Sequence, residues 1–206
     1  MTEFLRDGPA DAAATLLLAH GAGAAMDSPW MNALTAALVA EGLAVARFEF
    51  AYMAARRRGE RRPPPRGETL IPEFEAAVAA LAFPGRLIIG GKSLGGRVAS
   101  MAADAIGPAG LVCLGYPFHP PGKPAQTRTG HLAGLATPTL ICQGTRDPFG
   151  GREEVATYAL SPAIEVLWFE DGDHDLAPRK SVTGVSAAGR RRQLAAAIAG
   201  WVARLA

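Results

Sequence analysis

The stretch Arg86-Leu87-Ile88-Ile89-Gly90-Gly91-Lys92-Ser93-Leu94-Gly95-Gly96 decides the reading of this chain. Its first half is a short apolar run with β character, and from Leu94 onward the pattern turns helical. A serine at so sharp a strand-to-helix turn must take strained backbone angles. Gly91 and Gly95, two residues to either side, remove the Cβ atoms that would hold neighbouring backbone away, and Gly96 widens the clearance. Ser93 is therefore a candidate nucleophile on an elbow. Alone, Gly-x-Ser-x-Gly suits an ordinary glycine-rich turn equally well. The strands around it separate the two readings.

Outward from the elbow, strand and helix signals alternate. Thr15 to Ala19, Leu43 to Phe50, Gly110 to Gly115, Thr139 to Gln143 and Ile164 to Phe169 read as buried strands. Helices are expected over Trp30 to Ala40, from an N-cap at Thr69 to Leu81, from the elbow to Ile106, over Glu153 to Leu160 and over Ala187 to Leu205. Continuous apolar strands separated by helices imply an α/β fold, a mostly parallel sheet covered on both faces. Two segments break the rhythm. Arg56 to Gly67, RRRGERRPPPRG, carries six arginines against one glutamate and reads as a solvated loop. Tyr116 to Gly130 holds four prolines and reads as a short excursion, not a cap domain.

Composition bounds the alternatives. At 206 residues, 49% hydrophobic and 19% charged, the chain suits one domain over residues 1–206. It has no run of eighteen apolar residues, and its first residues lack the layout of a signal peptide, so a soluble, cytoplasmic protein with no membrane segment is expected. Cys113 and Cys142 each lie inside an apolar strand, where a reduced thiol serves as a small hydrophobe, and there is no Cys-x-x-Cys metal spacing. A net charge of +2 does not argue for nucleic acid.

In a parallel sheet reactive groups gather beyond the carboxyl ends of the strands. Two further strand ends carry partners for the serine: Asp147 in Gly144-Thr145-Arg146-Asp147-Pro148, and His174 in Asp171-Gly172-Asp173-His174-Asp175. His174 is the candidate base, and Asp147 the group that fixes its tautomer. Asp171, Asp173 and Asp175 lie too near His174 in sequence to reach back from another strand end. A third strand end carries His20-Gly21-Ala22-Gly23-Ala24, whose Ala22 or Gly23 N–H would join that of Leu94 as oxyanion donors. His20 reads as structural, because such loops supply main chain.

These motifs, HGAG, GKSLGG, GTRDPFG and DGDHDL, together resemble an α/β-hydrolase from about Thr15 to the C-terminus. More narrowly, the segments around Phe48 to Met53 and Gly115 to Lys123 are similar to a small capless group. It includes dienelactone-hydrolase-like predicted hydrolases, testis-expressed hydrolase-like proteins and a regulatory subunit of a histone acetyltransferase complex. The resemblance implies an α/β-hydrolase fold with a minimal N-terminal hairpin and no cap, and a serine hydrolase using Ser93, Asp147 and His174. Where true dienelactone hydrolases use cysteine, this chain has serine.

The main expectation is an esterase for a small acyl substrate, an anionic one being drawn by the arginines from Arg56 to Arg66. Tyr52, Arg56 and His119 are the candidate substrate contacts, with His131 a further loop histidine; Lys92 reads as a packing or surface residue. A peptidase or thioesterase would use the same chemistry. A non-catalytic scaffold would leave the intact triad without a purpose, and nucleic-acid binding through the arginine run lacks interleaved aromatics. No metal or organic cofactor is called for, since the triad and oxyanion donors already supply nucleophile, base and charge stabilisation.

Overall fold

A computed structural model describes residues 2–205 of the chain. The apolar runs form the strands that follow β1 (Phe4–Asp7), which no apolar run announces: β2 (Ala14–Ala19), β3 (Ala44–Phe48), β4 (Arg86–Lys92), β5 (Gly110–Leu114), β6 (Thr139–Gly144) and β7 (Ile164–Phe169). They assemble into one sheet in the order β1-β3-β2-β4-β5-β6-β7, parallel throughout except for β1. In place of the expected minimal N-terminal hairpin stands one antiparallel edge strand, β1, which pairs with β3 and places Phe4 opposite Phe48. Arg47, buried in β3, ties it down through an ion pair to Asp7 at 2.9 Å.

Alternate residues of each strand feed two cores, as the period of two requires. On one face Leu17, Ile89, Leu111, Cys113 and Ile141 pack with Phe74 and Val98. These helix residues belong to α3 (Ile71–Ala80) and α4 (Leu94–Ile106), and α2 (Ala51–Arg57) lies on the same side. On the other face Leu16, Leu18, Val112 and Cys142 pack with α1 (Pro29–Ala40) and α7 (Ala187–Arg204). The two cysteines thus sit on opposite faces of adjacent strands, free and fully buried. Burial pushes both thiols well above their ordinary pKa, so they are inert apolar filling.

Several boundaries differ from the expected ones. Phe50 caps α2 rather than ending a strand, and Arg56 and Arg57 belong to that helix, so the arginine loop begins at Arg58. The alanine-rich run Ala51 to Ala55 favours helix more than its arginine neighbours favour loop. Thr69 does not cap a helix. It lies in a 3-10 turn over Gly67–Leu70, where its hydroxyl donates to the Arg66 carbonyl at 2.8 Å, and α3 begins at Ile71 with Pro72 in its first turn. The helix expected over Glu153 to Leu160 is only α5 (Arg152–Val155), and a second short helix, α6 (Lys180–Thr183), precedes α7. Between β5 and β6 the only helical piece among the described residues is a 3-10 turn at Leu132–Gly134. The segment is too irregular to form a cap.

Candidate active site

β4 ends at Lys92, and the chain turns into α4 through Ser93 at φ 50° and ψ −111°. For a residue with a Cβ this conformation costs on the order of 1–3 kcal/mol. Packing enforces it: the Ser93 N–H donates to the Leu114 carbonyl at 2.9 Å, and α4 presses against the sheet. A Cβ at Gly91 would approach the Ala19 carbonyl oxygen to 2.6 Å, and one at Gly95 to 2.5 Å. Only glycine lets β2, β4 and α4 meet this closely.

Beyond the ends of β6 and β7, two loops bring Asp147 and His174 to the serine. The Ser93 hydroxyl donates to His174 Nε2 at 2.9 Å, and His174 Nδ1 donates to Asp147 Oδ2 at 2.8 Å. This tautomer follows from the surroundings of Asp147, whose carboxylate is fully buried and meets only donors. Oδ1 accepts from the Phe149 N–H at 2.9 Å, and Oδ2 also accepts from Gln143 Nε2 at 3.0 Å. Phe149 stacks on the His174 ring with 4.2 Å between centroids.

The loop after β2 is held from behind. His20 Nδ1 donates to the Gly21 carbonyl at 2.7 Å, while its Nε2 accepts from the Phe50 N–H at 3.2 Å. Burial holds the His20 pKa below the ordinary imidazole value, so the ring stays neutral and can play both parts. Tyr52 Oη donates towards the Gly21 and Ala22 carbonyls, both at 3.3 Å, and Arg56 Nη1 donates to the Ala22 carbonyl at 3.2 Å. With these carbonyls tied down, the N–H groups of Ala22 and Gly23 find no acceptor among the described residues, and neither does that of Leu94 at the start of α4.

Two cavities meet at Ser93, and Ala22 and Phe149 line both. One, of about 570 Å³, is walled mainly by apolar groups, including Trp30 and Met31, and by His174. The other, of about 710 Å³, contains Leu94 and is walled by Pro64, Pro117 and three arginines.

The alpha/beta hydrolase domain model matches residues 12–203. The chain belongs to the alpha/beta hydrolase family. Solved structures share the fold at low identity. A dienelactone hydrolase from Anabaena variabilis is 20% identical with a TM-score of 0.73, over 99% of this chain and 92% of that one. An α/β serine hydrolase without lid from Xanthomonas campestris is 20% identical with a TM-score of 0.70, over 98% and 94%. Est1E from Butyrivibrio proteoclasticus, with ferulic acid bound, is 15% identical with a TM-score of 0.68, over 98% and 96%.

Within this alpha/beta hydrolase fold, the structure brings together Ser93, Asp147, His174, Leu94, Ala22 and Gly23. It does not bring Tyr52, Arg56 or His119 to the cavities. The first two brace the loop after β2. His119 is buried and bonded to the Pro120 carbonyl at 2.7 Å and to Glu154 at 3.0 Å, which ties its loop to α5. His131 is likewise occupied, with Ser100 at 2.8 Å. Of the arginine run, Arg66 alone lines a cavity at Ser93; Arg57 is engaged by Glu49 and Asp27, and Arg62 by Glu60. Lys92 is buried, with Nζ 3.3 Å from Asp175 and 5.7 Å from the Trp30 ring centre, and burial lowers its pKa.

Sequence reasoning missed Gln143. It ends an expected strand, yet it is fully buried and holds Asp147, accepting from the Tyr116 N–H at 2.7 Å and donating also towards the Tyr116 and Gly150 carbonyls. A glutamine in an otherwise apolar run four residues before the acid was the available signal. Among the described residues no group of three or more His, Cys, Asp or Glu could hold a metal ion, and no helix is long and apolar enough to cross a membrane.

Proposed function

We propose that the protein is a serine hydrolase that cleaves a small ester or related acyl substrate through an acyl-enzyme on Ser93. The observation that carries this reading is the unbroken relay from Ser93 Oγ to His174 Nε2 at 2.9 Å and from His174 Nδ1 to Asp147 at 2.8 Å. A serine hydroxyl is a poor nucleophile until a base takes its proton during attack. His174 Nε2 accepts that proton, and the Asp147 carboxylate stabilises the resulting imidazolium. As the substrate carbon becomes tetrahedral, its oxygen gains negative charge and is met by the Leu94 N–H together with that of Ala22 or Gly23. His174 then protonates the departing group, and in the second half-reaction draws a proton from water to release the acid.

The test is hydrolysis of 4-nitrophenyl butyrate with labelling by a fluorophosphonate. Ser93→Ala should lose about 1000-fold or more in kcat. The adduct on the wild-type protein should map to Ser93, and His174→Ala should suppress it. Wild-type turnover by Ser93→Ala would end this reading.

A further inference from the structure

The two cavities that meet at Ser93 differ in chemistry: the smaller is mostly apolar, its one cation, Lys92, paired with Asp175, and only it is lined by His174. In the larger, the charged lining is Arg66, Arg97, Arg128 and Glu68, three guanidinium groups against one carboxylate. Arg97 lies one helical turn after Ser93, so its side chain projects over the same face of α4. It is only 12% exposed, is paired with Glu68, and is packed where a Cβ on Gly67 would come within 2.5 Å of its Nη1. Its Nε is buried and finds no partner among the described residues. Arg128 is half-buried, and its backbone is anchored at both ends: its N–H donates to the Phe118 carbonyl at 2.7 Å, and its carbonyl accepts from Tyr116 Oη at 3.0 Å. Among the described residues the Arg128 side chain makes no hydrogen bond or ion pair, although burial and the neighbouring Arg97 both disfavour its charge. Like charges gathered in a partly buried cavity with donors left over are unfavourable until an anion fills the gap.

The two sides of the substrate can be told apart. The leaving oxygen must reach His174 Nε2 for its proton, so the leaving group lies in the apolar cavity beside Trp30 and Met31. The acyl chain then extends past Leu94 into the arginine cavity. We infer that the preferred substrate is the monoester of a dicarboxylic acid, whose free carboxylate is bound by Arg97 and Arg128, with Arg66 at the rim, and whose leaving alcohol is apolar. This rests on the serine hydrolase reading above. Attack by Ser93 on the ester carbonyl expels the apolar alcohol, and water then releases the dicarboxylate.

The test compares mono-4-nitrobenzyl adipate, 4-nitrobenzyl hexanoate and 4-carboxybenzyl hexanoate, which share a six-carbon acyl chain and differ in where a carboxylate sits. Wild-type kcat/KM should be about 10- to 100-fold higher for the adipate than for the hexanoate, the worth of a hydrogen bond to a charged group. In Arg128→Gln that ratio should collapse towards one, in Arg128→Lys it should survive in part, and Arg61→Gln, exposed and outside the cavity lining, should retain it. Equal Ser93-dependent rates on adipate and hexanoate would overturn the subsite while leaving the hydrolase reading intact. Preference for 4-carboxybenzyl hexanoate would overturn the orientation. Should Ser93 be labelled by fluorophosphonate though none of the three esters turns over, excess adipate must slow labelling of the wild type but not of Arg128→Gln. Equal labelling would overturn the subsite. Failure of both turnover and labelling would end the hydrolase reading, and the subsite with it.

Discussion

Replacing Gly115 with alanine tests whether the His174 loop is held in place by close contact with the end of β5. Gly115 follows β5 at φ 63°, and a Cβ there would lie 2.6 Å from the His174 carbonyl oxygen and 3.3 Å from both His174 Nδ1 and Lys92 Nζ. Gly107 supplies the control. It ends α4 at φ 65°, with nothing within 4 Å of its would-be Cβ. Both alanines pay the left-handed penalty, on the order of 1–2 kcal/mol. Only Ala at 115 also meets a wall. To open a 2.6 Å approach to the 3.4 Å of ordinary contact, the His174 carbonyl must recede by about 0.8 Å. Overpacking of this kind adds about 1–3 kcal/mol. It also moves a ring whose two hydrogen bonds are 2.8 and 2.9 Å long, and a misplacement near 1 Å costs on the order of 100-fold in rate. Urea unfolding and 4-nitrophenyl butyrate kinetics read both effects. Gly107→Ala should lose about 1–2 kcal/mol with wild-type turnover, and Gly115→Ala about 2–5 kcal/mol with kcat down on the order of 100-fold. Equal stability losses with undiminished turnover in Gly115→Ala would refute the reasoning.

Two further outcomes follow from the surroundings of the acids. Gln143→Leu keeps the volume but leaves the buried Tyr116 N–H and the Gly150 carbonyl without their glutamine partner, and strips a donor from Asp147. It should cost about 3–5 kcal/mol and slow fluorophosphonate labelling, and a loss under about 1 kcal/mol would contradict the role given to the glutamine. Asp171 accepts from the Arg179 N–H at 2.7 Å and from Arg179 Nε at 2.9 Å, with Arg146 also paired to it, and the Arg179 guanidinium holds its pKa down at about 2. Because the folded value lies below the unfolded one of about 3.9, the carboxylate's stabilisation is complete above pH ~4 and disappears as pH falls through about 2. Melting temperatures of Asp171→Asn and wild type should therefore differ at pH 6 and converge towards pH 2. A gap that stays constant down to pH 2 would rule this out.

Ser93, Asp147 and His174 were legible because each ends or follows an apolar run, and strand ends announce themselves locally through composition and glycine. Their places at strand ends then sufficed to bring them together, since a parallel sheet gathers the carboxyl ends of its strands on one side. Gln143 escaped because a buried polar side chain in a strand looks like an exception until its partners are seen. Tyr52, Arg56 and His119, expected to touch substrate, lie on segments that flank the site, the first two on α2. Those segments do approach it, but with these side chains turned to brace the Gly21, Ala22 and Pro120 carbonyls and the Glu154 carboxylate.

The same division separates the two arginine groups. The run from Arg56 to Arg66 draws attention by density, yet Arg57 is paired with Glu49 and Asp27, Arg58 and Arg62 share Glu60, and Arg56 braces backbone carbonyls. Arg97 could have been found from its place four residues after Ser93 on a helix. Arg128 had no local signal, for it reaches the cavity only because the proline-rich segment folds back over α4. The sequence by itself determined the parallel strands, the elbow and the strand-end places of Ser93, Asp147 and His174, since these depend on backbone periodicity and on residues a few positions apart. Only the tertiary structure decided which cations face the serine and which are spent elsewhere, because charge pairing depends on distances through space between segments that share no sequence pattern.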